Sequence, residues 1–222
     1  MTTSTCGIFC PGAASCGVYH QRVDRVTAFG VAAFVLAGGK STRMGKDKAF
    51  LALGDRTLLA RALELAGTVT PDVRIVGDAN KFAAFGAAIP DVYRDRGPLG
   101  AIHAALVSTT ADLNLMLAVD LPYLQPEFLQ YLISEARRTG AVVTVARAGG
   151  GLQPLCALYR RAFADVAERS LREGRNKIDR LFTELETRVV SEEELSQAGF
   201  SGEMFRNLNT PEEWEEAISK HG

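Results

Sequence analysis

FVLAGGKSTRMGKDKAFL, residues 34–51, begins inside an apolar run and passes into a loop crowded with glycine and basic residues. The run, Val31 to Leu36 (VAAFVL), is bounded by glycine and lacks polar alternation. That predicts a strand buried on both faces, the habit of parallel sheets. The loop holds Gly38, Gly39 and Gly45 among Lys40, Arg43, Lys46 and Lys48. Glycine lets backbone approach a ligand closely, and exposed N–H groups beside cations form a cradle for an anion. A strand that opens at its carboxyl end into such a loop is where open α/β sheets bind nucleotides. Taken generically, such a loop reads equally well as a solvated basic connection between strand and helix.

Two common phosphate motifs are absent. A P-loop reads G-x-x-x-x-G-K-[ST]; here Gly39 and Gly45 stand one residue too far apart, and Lys46 is followed by Asp47. The G-x-G-x-x-G dinucleotide fingerprint does not occur, so neither a P-loop NTPase nor a Rossmann dehydrogenase is supported. What does run without a gap from Leu36 to Lys48 is LAGG-x-S-x-R-M-G-x-D-K. It resembles the signature of the nucleotidyltransferase superfamily, and within it most closely that of the molybdenum cofactor guanylyltransferases, the MobA family.

Bulk composition is compatible with this. At 222 residues, 47% apolar and 23% charged, the chain suits one α/β domain of ordinary size. A net charge of −1 gives no general attraction to nucleic acid or membrane, so anion binding has to be local, as for a small charged substrate. No apolar run approaches the roughly 18 residues of a membrane span, and a cytoplasmic location is expected. Residues 1–27 are rich in Thr, Ser, Gly and Cys, without periodicity or the pattern of a secretory signal, and read as a flexible, dispensable leader to a single domain, 28–222. Cys6, Cys10 and Cys16 are spaced C-x3-C-x5-C, without the paired C-x2-C units of a zinc site. Cys156 reads as a small core residue.

Further along, apolar runs alternate with helical patterns: a helix over Thr57–Ala66 with Thr57 able to cap, a strand at Val73–Val76, a helix near Lys81–Phe85 and a strand at Ile89–Tyr93. Asp95-Arg96-Gly97-Pro98-Leu99-Gly100 then forms a tight turn into an alanine-rich helix, Ala101–Val107. Leu113–Val119 is the most apolar strand and the expected centre of the sheet, followed by a helix over Glu127–Arg138 with Pro126 at its start. A strand at Ala141–Ala146, a glycine turn, a strand at Gln153–Tyr159 and helices at Arg161–Arg172 and Lys177–Leu185 follow. Thr210, Pro211 and Glu213 form a helix start for a last helix through Lys220. The order predicts a three-layer α/β fold with a doubly wound, mostly parallel sheet. The resemblance implies the Rossmann-like architecture of nucleotide-diphospho-sugar transferases.

Asp120 stands at the tip of the most apolar strand and is pinned by Pro122, a frequent position for a Mg²⁺ ligand. The resemblance implies the same, since the family carries its Mg²⁺-binding Asp in this D-x-P setting. It also implies nucleotide contacts for Asp95, ahead of the G-P-L turn, for Gly39, and for Leu36, Ala37 and Gly38, whose backbone would read base and ribose. Lys48 is assigned to the triphosphate, Arg43 to a phosphate of donor or acceptor, and Asp47 to orienting the loop. On the acceptor side the resemblance points to Gln153, in Q-P-L-x-A-L-Y, and to Asn207 and Asn209, in N-L-N-T-P-E. Arg175, Lys177 and Arg180 read first as a solvated face, with a contact to the substrate as the alternative.

The implied reaction is transfer of GMP from GTP to the terminal phosphate of molybdenum-molybdopterin, with Mg²⁺ as cofactor and pyrophosphate as second product. The implied partners are those two substrates and the proteins that deliver the cofactor to molybdoenzymes. One departure loosens the case for guanine: the family often has Asn directly after the second strand, where this chain has Gly77, followed by Asp78. A cytidylyltransferase is therefore the nearest rival. A sugar-phosphate or isoprenoid-precursor nucleotidyltransferase is more distant, and a non-catalytic nucleotide-sensing module is the alternative of another class.

Overall fold

The computed structural model describes residues 30–38, 47–93, 96–208 and 213–215. The leader, with Cys6, Cys10 and Cys16, lies outside them.

Strand β1, Val31–Leu36, is buried along its whole length. It pairs in parallel with β4 (Val73–Val76) on one side and β6 (Leu113–Ala118) on the other. Between β1 and β4 come a small hairpin, β2 (Ala52–Leu53) with β3 (Arg56–Thr57), and helix α1, Leu58–Gly67. Thr57 caps α1 by accepting the Ala60 N–H. After β4 come a one-turn helix α2 (Ala79–Phe82), a two-residue strand β5 (Ala88–Ile89) and helix α3 (Pro98–Val107). Helix α4 (Pro126–Thr139) follows β6 with Pro126 in its first turn and ends at Gly140, which has a positive φ of 71°.

Strands β7 (Val143–Ala148) and β8 (Gly151–Arg160) form a hairpin, followed by α5 (Phe163–Arg172), α6 (Ile178–Leu181), β9 (Thr187–Val190) and α7 (Glu192–Gln197). The seven-stranded sheet runs β5-β4-β1-β6-β8-β7-β9, with only β8 antiparallel. The expected mostly parallel sheet is present, with β6 at its centre. Alternate residues of β1 explain the layers: Val31, Ala33 and Val35 join the core beneath α1 and α4, whereas Ala32 and Phe34 join the core beneath α3 and α5.

Several expected boundaries move. The strand placed at Ile89–Tyr93 is only Ala88–Ile89, since Pro90 has no N–H to continue a ladder. The G-P-L-G segment is the first turn of α3 as well as a bend, because Pro98 at the helix start needs no hydrogen-bond partner. The helix expected over Lys177–Leu185 is one turn, and the chain then enters β9 and α7, neither of which was foreseen. No helix among the described residues is long and apolar enough to cross a membrane.

Arg188 of β9 ties this last section to α4. Its guanidinium donates to Glu135 of α4 at 2.9 Å and to Glu194 of α7 at 3.2 Å, and Glu194 also closes a capping box with Ser191. Hydrogen bonds from Arg138, joined by Arg188, hold the Glu135 carboxyl down at about 2. Arg188 and the Ser191 N–H hold Glu194 at about 2 as well. Both folded-state values lie below the ordinary 4.5, so the stability they contribute is complete above that pH and drains away as pH falls toward about 2. Replacing Arg188 by Met is expected to cost about 1–2 kcal/mol at neutral pH, given the partial exposure of the network. In urea unfolding measured across the acid range, the difference from the parent chain should shrink steadily below pH 4.5.

Candidate active site

The carboxyl ends of β1, β4 and β5 converge. Beyond β1 the chain stays against β4, with the N–H groups of Ala37 and Gly38 both donating to the Val76 carbonyl at 3.0 and 3.1 Å. Gly77 in turn donates to Ile89 at 2.9 Å. Gly38 and Gly77 are thereby brought backbone to backbone: a Cβ on Gly38 would lie 3.8 Å from the Gly77 Cα and 4.0 Å from Asp91 Oδ2. Glycine at both positions lets the two backbones approach this closely.

Asp91 is the residue at this corner that the sequence did not single out. Its Oδ1 is buried with no hydrogen-bond partner among the described residues, and burial pushes the carboxyl above its ordinary value. A buried, unpartnered acceptor is costly unless a donor reaches it. A ribose hydroxyl or a base N–H has that chemistry. Asp95, the residue favoured on sequence grounds, lies outside the described residues, as do Gly39, Arg43 and Asn209. What could have pointed to Asp91 is its position two residues past a strand that ends on the same rim.

Gly77 also has a packing reason to be glycine. A Cβ there would stand 2.7 Å from Phe82 Cε2, and the Phe82 ring is buried in the core. The side chain of Asp78 is committed to capping α2, accepting from the N–H groups of Asn80 and Lys81 at 2.9 and 3.2 Å.

Across β1, Lys48 and Asp120 meet, Nζ to Oδ2 at 3.4 Å, with side chains 17% and 23% exposed. Lys48 opens a single 3-10 turn, Lys48–Phe50, capped by Asp47, whose Oδ1 accepts the Ala49 N–H at 3.0 Å. Ala49 is buried beneath the turn, which fixes its inner side. Asp47 thus orients the segment that carries Lys48. Asp120 follows β6 directly, so the parallel pairing of β6 with β1 sets it level with the loop after Leu36.

Among the described residues no cluster of three or more His, Cys, Asp or Glu could hold a metal by itself. One carboxylate at a strand tip, beside an ammonium group, fits instead a divalent cation that arrives with phosphate oxygens and keeps water in its remaining positions.

The acceptor-side candidates divide. The β6–β8 ladder ends at the Cys156–Leu117 pair, three residues short of both Gln153 and Asp120, and the Gln153 side-chain amide donates to the Ala148 carbonyl at 3.0 Å, across the β7–β8 hairpin. Asn207 is exposed. Its neighbour Leu208 is buried with Leu53 and Leu58, and Tyr123 packs on that cluster, so the segment returns to the chain just after Asp120. Gly174, next to Arg175, lies against Arg96, with a Cβ there 3.8 Å from Nη1. The basic segment that follows α5 is therefore beside the turn before α3.

Residues 33–189 match the MobA-like NTP transferase domain. The molybdenum cofactor guanylyltransferase of Desulfosudis oleivorans is 34% identical over 190 residues, covering 84% of this chain and 94% of that protein. The molybdenum cofactor guanylyltransferase of Syntrophotalea carbinolica is 32% identical over 186 residues, 82% of this chain and 88% of that one. The crystal structure of molybdopterin-guanine dinucleotide biosynthesis protein A from Archaeoglobus fulgidus superposes with a TM-score of 0.75 at 27% identity, covering 85% of this chain and 97% of its own.

The Gly77–Phe82 contact is open to a direct test. Gly77→Ala should lower stability by about 1–3 kcal/mol through overpacking, and adding Phe82→Leu should recover part of that loss. Thermal unfolding of the single and double variants would measure both.

Proposed function

Because this chain belongs to the MobA-like NTP transferase family, we propose that it transfers GMP from GTP to the terminal phosphate of molybdenum-molybdopterin, releasing pyrophosphate. The observation that carries the reading is the meeting of Lys48 and Asp120 at one rim with Gly38, Gly77 and Asp91. A cation, a carboxylate and a corner of glycine backbone together suit a metal-bound triphosphate whose nucleoside lies toward β4.

An acceptor phosphate oxygen attacks the α-phosphorus, a new P–O bond forms, and the bond from that phosphorus to the α–β bridging oxygen breaks. The electron pair leaves with pyrophosphate. No general base is needed, since a phosphate monoester has its second pKa near 6 and is mostly dianionic at neutral pH. The barrier is chiefly repulsion between anions, which fixed positive charge lowers. Lys48 would bind the triphosphate, and Asp120 would hold Mg²⁺, which when bound neutralises phosphate charge and aligns attacking and leaving oxygens. Asp91 would accept hydrogen bonds from the nucleoside, and Arg43 would meet a phosphate of donor or acceptor. Asn207 and Asn209 are assigned to the acceptor side. Gln153 acts there through the hairpin it braces.

One observation favours a second reading, CMP transfer from CTP. Gly77 offers no side chain to the base where the family often has Asn, and Phe82 occupies the space such a side chain would need. Pyrophosphate release with a molybdopterin-type acceptor and each of GTP, CTP, ATP and UTP decides between them. GTP should be preferred, and Asp120→Ala should lower kcat/KM about a thousandfold. Asp91→Ala should raise the KM for the nucleotide about tenfold, the loss of hydrogen bonds to one carboxylate. A CTP preference would move the reading to cytidylyl transfer. Binding without pyrophosphate from any nucleotide would make the protein a sensor.

A further inference from the structure

The turn that carries Lys48 is met from outside by the Phe85 ring, 5.6 Å from that of Phe50 centroid to centroid, and by a charged residue that touches none of the proposed reacting groups. Lys81, in α2, makes an ion pair with Asp47. Its ammonium also lies over the rings of Phe50 and Phe82, 5.4 and 5.0 Å from their centroids. Phe50 and Phe82 are themselves 5.7 Å apart, centroid to centroid. We infer that Lys81 is a positioning residue: it holds the Asp47–Phe50 turn against α2 and so keeps Lys48 at Asp120. The inference rests on the reading of Lys48 as the triphosphate ligand.

The turn needs such a clamp. Three residues of 3-10 helix have little stability of their own. The turn's internal bonds are Phe50 N–H to Asp47 and Leu51 N–H to Lys48, each 3.1 Å. Ala49 secures its inner side, but Phe50 is 38% exposed, so the outer side faces water. Lys81 reaches that outer side at two points, the Asp47 carboxylate and the Phe50 ring. Partial burial works both ways here: it weakens the screening of the ion pair and the cation–aromatic contact by water, and by itself it lowers the Lys81 pKa from its ordinary value. The anchor at the other end is firm: Phe82 is buried, packed against Gly77, and α2 is capped by Asp78. The clamp therefore joins the base side of the rim to the phosphate side. A lysine head displaced by about 1 Å is enough to cost a large part of the rate.

Amide hydrogen exchange reads the clamp without reference to turnover. In Lys81→Met the amides of Ala49, Phe50 and Leu51 should exchange about tenfold faster while those of α1 keep their rate. Lys81→Arg, which keeps the charge, should behave like the parent chain. Asp47→Asn serves if Lys81→Met does not fold: Asn can still accept the Ala49 N–H, yet loses the ion pair, and should give the same local acceleration.

A double-mutant cycle then tests the route through Lys48, read in both kcat and the Kd for GTP. Lys81→Met should lower kcat about 10- to 100-fold in the parent chain and by less than about twofold in Lys48→Ala, where nothing remains to position. The Kd cycle should show the same loss of effect. Unchanged exchange at Ala49–Leu51, or an equal loss in both backgrounds, would overturn the inference. If the parent chain proves unable to transfer GMP, the proposed function fails, while exchange and the Kd cycle still decide the role of Lys81.

Discussion

Parallel hydrogen bonding of β1 to a strand on each side is the constraint on which the rest of the molecule depends. Leu36 is level with Val76 on one side and with Ala118 on the other. Strands that run the same way release their chains at the same edge. Gly38, Gly77 and Asp120 therefore emerge side by side although they are far apart in sequence. The requirement also explains why β1 has no polar residue. With helices on both faces, each of its side chains enters one core or the other.

The parts of the fold that were legible in the sequence carry strong local signals. The apolar runs of β1 and β6, the second broken only by Asn114, announce strands buried on both faces. Thr57 and Pro126 mark helix starts by chemistry that needs no tertiary partner. The elements that were misplaced or missed are defined by their neighbours. The two residues of β5 are a strand only because β4 lies beside them, and β9 exists because β7 offers its edge. Ser191 and Glu194, a capping box that is present in the sequence, escaped attention because the short helix it starts has little apolar periodicity.

The site divides in the same way. Lys48 and Asp120 stood out from a motif and from a strand tip, and the fold brings them together. Asp91 could not stand out, because its place beside Gly38 is made by the arrival of another strand. Gly77 was legible as a departure from a family pattern, but its cause is the Phe82 ring five positions further on. The Lys48–Asp120 pair is itself part-exposed, and pairs of that kind contribute about 0–1 kcal/mol to stability. Its geometry is held by the capped turn beneath Lys48 and by the β1–β6 register.

The β7–β8 hairpin turns through Gly149 and Gly150, with φ of 60° and 76°. Such a turn closes the shortest of loops, and hairpins of this kind zip up in about 1–10 μs. The β1–β6 register, by contrast, brings Val31 to Leu113, and the entropy of closing a loop grows with its length. Long-range parallel pairing is the slow part of folding for that reason. Lys48 and Asp120 face one another only once that pairing is in place. A chain still emerging or partly folded can thus own its hairpin and helices and yet display no assembled pair, so the site comes into being with the completion of the sheet.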